Sequence, residues 1–134
     1  MNLVPAIIML LITGQVSAQT HYSLQPPASG QKAPARILGV WGTAEQCIAY
    51  RHGKTDSPRL FPYRISDDWV RQGEIYCYLS WHDAEQVGDD FRVYALAQCG
   101  EDNLREYQLK LNLQQQKLRI RWSDDFTTRA LEAC

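Results

Sequence analysis

The stretch at 90–123 contains three segments in which apolar side chains recur at every second position: DFRVYALAQC (90–99), EYQLKLNL (106–113) and KLRIRWS (117–123). A period of two is typical of β-strands with one buried and one solvated face. Similar short segments precede and follow this stretch, so that 37–134 holds about eight strands separated by turn residues. The pattern predicts an all-β domain, either a small eight-stranded antiparallel meander barrel or, as the alternative, a β-sandwich.

The charge balance disfavours two classes of partner. With 14 basic and 15 acidic residues, the formal net charge of the chain is -1. Proteins that bind nucleic acids or anionic membranes usually carry a strong basic excess. We therefore expect neither a nucleic-acid partner nor a membrane surface.

The N-terminal residues indicate an exported protein. Residues 1–18 contain no charged side chain and end in the small residues Val16, Ser17 and Ala18, which predicts a signal peptide cleaved after Ala18. The alternative is a membrane anchor, but the apolar run is shorter than the roughly 20 residues that span a bilayer. Residues 19–36 are rich in proline and have few large apolar side chains, which predicts a disordered N-terminal arm. A single β domain then occupies 37–134 of a periplasmic or secreted protein.

The four cysteines, Cys47, Cys77, Cys99 and Cys134, predict two disulfides, with three pairings open. Their wide spacing differs from the clustered C-x-x-C spacing of metal sites. An even number of cysteines in an oxidising compartment also disfavours a catalytic thiol.

No motif in the sequence assembles a catalytic site. The chain lacks G-x-S-x-G, a phosphate-binding glycine loop and H-E-x-x-H. His82 and Asp83 could form a base with its orienting carboxylate, but neighbours on a strand point to opposite faces. The three Asp–Asp pairs fall between strand-like segments, where Asp favours turns, and not in a calcium-binding loop. We predict a non-enzymatic protein with no catalytic residue, no bound metal and no cofactor.

The outer faces of the predicted strands suggest a contact surface. Matching the apolar faces of neighbouring strands, with Leu79 opposite Val93, places four polar side chains in one row: Tyr78, Tyr94, Lys110 and Arg121. Like charges on opposed residues reduce stability, so Lys110 beside Arg121 requires a nearby carboxylate or a functional reason. Tyr and Arg are also common at interface hot spots. The row predicts contact with an acidic protein or glycan, the alternative being a solvated sheet face.

Two short patterns resemble a known protein family. The first is GVW (39–41) followed by AEQC (44–47), and the second is Trp69 with GE (73–74) and Cys77. Over 39–77 the chain is similar to the bacterial periplasmic inhibitors of secreted serralysin-type metalloproteases. The G-x-W element of the first pattern is also typical of lipocalin-like barrels.

The resemblance implies a fold and several structural roles. The inhibitors are small eight-stranded barrels with one disulfide, which would here join Cys47 to Cys77 and leave Cys99 to pair with Cys134. Their free N-terminal arm enters the protease cleft. In lipocalin-like barrels the G-x-W tryptophan packs at the closed end, beside an arginine of the last strand. This implies structural roles for three residues: Gly39, Trp41 and Arg129.

These observations lead to one interpretation and two alternatives. We expect a periplasmic or secreted, monomeric, non-enzymatic module that binds a protein partner, with inhibition of a secreted protease through the arm as its specific form. The alternative is an interaction or immunity-type protein that uses the outer sheet face, with the arm as a spacer. A small-ligand carrier is disfavoured because bulky inward side chains fill the barrel: Trp41, Trp81, Phe91, Tyr107 and Trp122.

Overall fold

The computed structural model describes residues 32–54 and 57–134, and these form a closed antiparallel β-barrel. Its eight strands are β1 (Gly39–Gly42), β2 (Tyr63–Ile65), β3 (Trp69–Gln72), β4 (Ile75–Val87), β5 (Asp90–Cys99), β6 (Arg105–Gln114), β7 (Lys117–Trp122) and β8 (Leu131–Ala133). Each strand pairs with the next, and β8 returns to pair with β1. One helix, α1 (Ala44–Arg51), follows β1, and two short 3-10 turns lie at Ala35–Ile37 and Pro58–Leu60. The predicted all-β barrel is confirmed, and the sandwich alternative is wrong.

The inward faces of the long strands form the core. Alternate side chains of β5, β6 and β7 are almost fully buried: Val93, Ala95, Ala97, Leu109, Leu111, Leu118 and Ile120. The predicted inner face of 90–123 is therefore the observed one, and Leu113 stands opposite Leu118 as expected. Burial of this apolar surface is the main driving force for closing the barrel, at about 25 cal/mol per Å².

The two ends of the barrel differ. The closed end carries the β2–β3, β4–β5 and β6–β7 turns, and the chain enters it through the turn Ala35–Ile37. Ile37 is completely buried there, and its carbonyl oxygen accepts a hydrogen bond of 2.9 Å from the Trp41 indole N–H. The open end carries the β3–β4 turn and the β5–β6 and β7–β8 connections.

The residues assigned structural roles by resemblance have different positions. Trp41 is buried, and Gly39 begins β1 with φ +128°, a conformation that favours glycine. Arg129 is exposed and precedes β8, so it is not an arginine of the last strand. The tryptophan hydrogen bond goes instead to the backbone of Ile37. The role implied for Arg129 on the last strand is therefore wrong.

The ordered domain begins earlier than predicted. Ala33 packs against the core, although the arm was expected to extend through Arg36. The Arg36 guanidinium donates a hydrogen bond of 2.9 Å to Gln86 Oε1 and lies 5.3 Å above the centre of the Phe91 ring. These contacts attach the chain to the β4–β5 hairpin. The predicted signal peptide at 1–18 and the arm as far as 31 lie outside the described residues.

A capping box starts α1. The Thr43 side chain accepts a hydrogen bond from the Gln46 backbone N–H, and the Gln46 side chain accepts one from the Thr43 N–H. Both donors would otherwise lack a partner in the first helical turn. The buried face of the helix holds Cys47 and Ala49 against the barrel.

The disulfides are Cys47–Cys134 and Cys77–Cys99. The prediction of two disulfides is confirmed, but the pairing implied by the resemblance is wrong. Cys77 of β4 stands directly opposite Cys99 of β5, so these two sulfur atoms meet across adjacent strands. Cys47 lies on α1 beside β8, where the Cys134 Cα is 5.0 Å from its own Cα. Two disulfides are compatible with an extracellular or periplasmic environment.

The Asp–Asp pairs lie at turns, as predicted. The pair at 67–68 separates β2 from β3, the pair at 89–90 lies at the β4–β5 turn, and the pair at 124–125 follows β7. Within 32–54 and 57–134, no group of three His, Cys, Asp or Glu side chains is close enough to hold a metal ion. None of the helices in the described part of the chain is long and apolar enough to cross a membrane.

Candidate functional site

The predicted row of polar side chains on the outer face is present in part. Tyr94 stands opposite Lys110, and Lys110 stands opposite Arg121, as the sequence indicates. His82, not Tyr78, is the residue of β4 opposite Tyr94. His82 follows Tyr78 by four residues, which is about 13 Å along the strand. The prediction that Tyr78 completes the row is wrong, and we call the remaining residues, Tyr94, Lys110 and Arg121, the basic row.

The length of β4 explains this error. Leu79 pairs with Ala97 and not with Val93. Matching apolar faces fixes which side chains point inward, but it allows the register to shift by any even number of residues. Because β4 continues beyond Trp81 to Val87, the hairpin turn lies later in the chain than the sequence suggested, and the register shifts with it.

The basic row has a carboxylate beside it. The Arg121 Nη2 atom lies 3.8 Å from Asp125 Oδ1. This negative charge reduces the repulsion between Lys110 and Arg121, although an exposed pair of this kind contributes at most about 1 kcal/mol. The opposed charges therefore have a structural explanation, and contact of the basic row with a partner stays a prediction.

Tyr78 belongs to a different surface, which we call the aromatic patch. It consists of Trp69, Ile75, Tyr76, Tyr78 and Leu104. The Trp69 and Tyr76 rings stack with centroids 6.0 Å apart, and Tyr76 meets Tyr78 edge-to-face at 5.1 Å. Ile75 is 60% exposed, and Tyr76, Tyr78 and Leu104 are each exposed by more than a third. Large apolar groups therefore cluster on the outside of the barrel beside its open end.

Acidic side chains border the aromatic patch. Ile75, Tyr76, Tyr78 and Leu104 line a surface depression of about 590 Å³, together with Glu74 and Glu101. A third carboxylate, Glu106, stands next to this region, opposite Gln98 in the row that contains Tyr78. The ion pairs of the described chain all involve other carboxylates: Asp90, Asp125 and Glu132. The patch is thus apolar at its centre and negative at its edge.

The phenol of Tyr76 remains protonated to higher pH than a free tyrosine. Its pKa is raised above the ordinary value of 10.0, first by desolvation and then by the negative fields of Tyr78 and Asp68. Arg71, which stands opposite Tyr76 on β3, acts in the other direction. At neutral pH the patch therefore presents a neutral hydroxyl that can donate or accept a hydrogen bond.

The backbone beneath the aromatic patch is firmly held. Cys77 lies between Tyr76 and Tyr78 in sequence, points inward, and is joined to Cys99. On the other side, Trp69 stands opposite Tyr78 across the β3–β4 pair. The two tyrosines therefore project from a strand that is hydrogen-bonded on both sides and covalently attached to β5.

A cavity of about 350 Å³, which we call the mouth pocket, lies at the open end of the barrel. Four aromatic residues, two aliphatic residues and one carboxylate contribute to its wall: Tyr63, Tyr107, Trp122, Phe126, Val70, Ile75 and Asp124. The Tyr107 and Trp122 rings meet edge-to-face at 5.6 Å. Of the side chains predicted to fill the barrel, Trp41 and Trp81 are buried in the core, whereas Tyr107 and Trp122 line the mouth.

Neither the aromatic patch nor the mouth pocket was predicted from the sequence. Trp69 and Tyr76 were visible as outward residues of strand-like segments, and pairing 69–72 with 75–78 across the turn at Gly73 would have brought them together. The mouth pocket had no such local signal. Its residues come from six strands, β2 to β7, and from the β7–β8 connection, which meet only when the barrel closes.

Comparison with protein-family models, with curated proteins and with solved structures finds no match to this chain. The resemblance to metalloprotease inhibitors therefore rests on the residues of 39–77 alone, and a functional interpretation must start from the geometry of the surface.

Proposed function

We propose that the chain is an exported, non-enzymatic protein-binding module that contacts its partner through the aromatic patch. The observation that carries this proposal is the cluster of Trp69, Tyr76 and Tyr78 beside the exposed Ile75 and Leu104. Single exposed apolar side chains are common, but a contiguous group of them on a soluble domain usually marks an interface. Tyr and Trp are also the residue types most enriched at interface hot spots.

The rigidity of the patch favours tight binding. Side chains that lose rotamer freedom on association reduce affinity by about 0.5–1.5 kcal/mol each. Tyr76 and Tyr78 already contact each other and Trp69 in the free protein, and the Cys77–Cys99 disulfide holds their strand. Little further ordering is therefore needed when a partner covers these rings.

The charges around the patch indicate the chemistry of the partner. Glu74 and Glu101 line the depression with the apolar side chains, and Glu106 stands two strands from Tyr78. These three carboxylates outnumber the one described cation opposite the patch, Arg71, so a complementary segment carries basic side chains next to apolar ones. Lys and Arg also interact favourably with the faces of tyrosine rings. This differs from the acidic partner that the sequence suggested for the basic row, because the two surfaces carry opposite charge.

Two matched tyrosine variants test the proposal. Tyr76 in the patch and Tyr94 in the basic row are both outer-face strand tyrosines, 38% and 37% exposed. Affinity capture from periplasm and culture supernatant is compared for wild type, Tyr76→Ala and Tyr94→Ala. We expect a protein that is retained by wild type and Tyr94→Ala but lost from Tyr76→Ala. Loss with Tyr94→Ala alone would assign binding to the basic row instead.

A second candidate function is inhibition of a secreted protease by the N-terminal arm. The observation that favours it is the firm attachment of the chain to the barrel directly after this segment. Ile37 is buried in the core, and Arg36 contacts Gln86 and Phe91. This attachment lies at the closed end of the barrel, whereas the aromatic patch lies beside the open end. Deleting 19–31 should abolish inhibition of a secreted metalloprotease and leave the thermal transition unchanged. Inhibition that survives the deletion would show that the arm is not the inhibitory segment.

A further inference from the structure

We propose that the mouth pocket binds a small organic cation, an alkylated ammonium group attached to a compact apolar body. The pocket is separate from the aromatic patch except at Ile75, which borders both. The proposal does not depend on the protein-binding function, because it concerns the interior of the barrel mouth.

The aromatic residues of the pocket supply the first argument. Tyr63, Tyr107, Trp122 and Phe126 all contribute to its wall. Aromatic ring faces carry a negative electrostatic potential and attract cations, and several rings around one site form the aromatic cages that bind quaternary ammonium groups. A wall with four aromatic residues therefore favours a cation with a soft, apolar surface over a strongly hydrated metal ion.

The charge in the pocket supplies the second argument. Asp124 is the one charged residue in the described lining, which contains neither Lys nor Arg. Its Oδ1 atom accepts a hydrogen bond of 3.3 Å from the Phe126 backbone N–H, so the carboxylate is held at the mouth. An anionic ligand would be repelled there, and a neutral ligand would gain at most a hydrogen bond to the carboxylate, without the charge attraction that a cation gains.

The size of the pocket limits the ligand. A cavity of about 150 Å³ is sufficient for benzene, so about 350 Å³ holds a trimethylammonium group with a short chain or one ring attached. The next inward residues, Leu79, Ala97 and Leu109, are almost fully buried and close the pocket from below. The ligand therefore stays near the mouth, where part of the cation keeps its hydration and the desolvation penalty remains small.

Two probes of equal shape test for the cation. Choline carries a quaternary nitrogen where 3,3-dimethylbutan-1-ol carries a carbon atom, so the pair differs in charge alone. Binding of each to the full disulfide-bonded protein is measured by isothermal titration calorimetry and by the shift of the Trp122 indole N–H resonance. We expect choline to bind more tightly than the alcohol by roughly tenfold, as a partly desolvated cation–π contact with a nearby carboxylate predicts.

Two neighbouring carboxylates provide a matched pair of variants. Asp124→Asn removes the charge from the pocket but keeps an oxygen that can accept the Phe126 hydrogen bond. Asp125→Asn makes the same change one residue later, at a side chain that is outside the pocket lining and pairs with Arg121. We expect Asp124→Asn to weaken choline binding roughly fourfold, as part of the tenfold difference that the positive charge produces, and Asp125→Asn by less than about twofold. Unchanged thermal transitions show that both variants are folded.

A trimethylated lysine side chain of a protein carries the same quaternary ammonium group as choline, so the tripeptide Gly-trimethyllysine-Gly is titrated as a third probe. Choline binding that depends on Asp124 supports a free small cation, and binding of the tripeptide alone supports a cationic side chain as the ligand. Equal affinity for choline and its uncharged isostere, or no binding by any probe, overturns the proposal. Either result leaves the test of the aromatic patch unaffected.

Discussion

Removing the Cys47–Cys134 disulfide should destabilise the protein more than removing Cys77–Cys99. The first bridge closes a loop with a sequence separation of 87 residues and the second a loop of 22. In the chain-entropy description, stabilisation grows with the logarithm of loop length, to about 4.6 kcal/mol for the longer loop and about 3.4 kcal/mol for the shorter one. The expected difference is about 1.2 kcal/mol.

The packing of the sulfur atoms does not offset this difference. Cys47 is 1% exposed and Cys77 is completely buried, whereas Cys99 and Cys134 are each half-buried. Truncation to alanine therefore removes one fully buried and one half-buried sulfur atom from either pair. The loop length remains as the main distinction between the two bridges.

Urea unfolding followed by tryptophan fluorescence measures the effect. The oxidised wild-type protein is compared with Cys47→Ala/Cys134→Ala and with Cys77→Ala/Cys99→Ala. Domains of this kind have a total stability of about 5–15 kcal/mol, so both losses are easily resolved. A larger loss of free energy of unfolding in Cys77→Ala/Cys99→Ala than in Cys47→Ala/Cys134→Ala would contradict the loop-length explanation. Non-reducing peptide mapping that joins Cys47 to Cys77 would refute it as well.

Three other substitutions test separate parts of the structure. Ile37→Ala should lower the free energy of unfolding by about 2–5 kcal/mol, because the side chain is fully buried; a residue of a free arm would show no loss in urea titrations. Gly73→Ala should lower the thermal midpoint more than Gly53→Ala: both glycines have positive φ, but a Cβ at Gly73 lies 2.5 Å from the Phe61 ring and one at Gly53 has no neighbour within 4 Å. Equal shifts would argue against the clash. Burial raises the pKa of Tyr63, so the unfolded state ionises first as pH rises. Stability from this group should be constant below about pH 10 and fall above it, and Tyr63→Phe should reduce the alkaline loss in urea midpoints measured against pH; an unchanged alkaline loss contradicts this assignment.

The sequence predicted the core of the barrel well because a strand that is buried on one face has apolar residues at every second position. In the strands of 90–123 the inward residues are apolar and, apart from Leu96, their outward neighbours are Tyr or polar residues, so the period of two identifies both the strands and their inner face. The registers of β5 with β6 and of β6 with β7 followed from the same pattern. The turn at Gln115 and Gln116 joins β6 and β7 tightly, which leaves little freedom for a shift.

The register of β4 could not be predicted in this way. Residues 82–87 are exposed throughout, because this part of β4 extends beyond β3 and pairs only with β5. A strand segment without a buried face has no apolar alternation to reveal it. Because the full length of β4 could not be seen in the sequence, Tyr78 was predicted to lie in the row. It lies instead beside Tyr76 and Trp69.

The disulfide pairing and the mouth pocket depend on tertiary structure. Cysteine spacing allows all three pairings, and the choice is made by which strands lie next to each other: Cys77 opposite Cys99, and Cys47 on a helix beside Cys134. The pocket requires Tyr63, Trp122 and Asp124 to meet at one end of a closed barrel. Neither the disulfide pairing nor the mouth pocket produces a periodic pattern in the sequence.

Under the proposed function, the aromatic patch binds a protein partner and the basic row does not. The most direct measurement is the dissociation constant of a captured partner for wild type, Tyr76→Ala and Tyr94→Ala, determined by titration calorimetry. Hot-spot residues change affinity by more than about tenfold when truncated, so we expect Tyr76→Ala to weaken binding at least tenfold and Tyr94→Ala by less than about threefold. Equal affinities for Tyr76→Ala and wild type would contradict the claim.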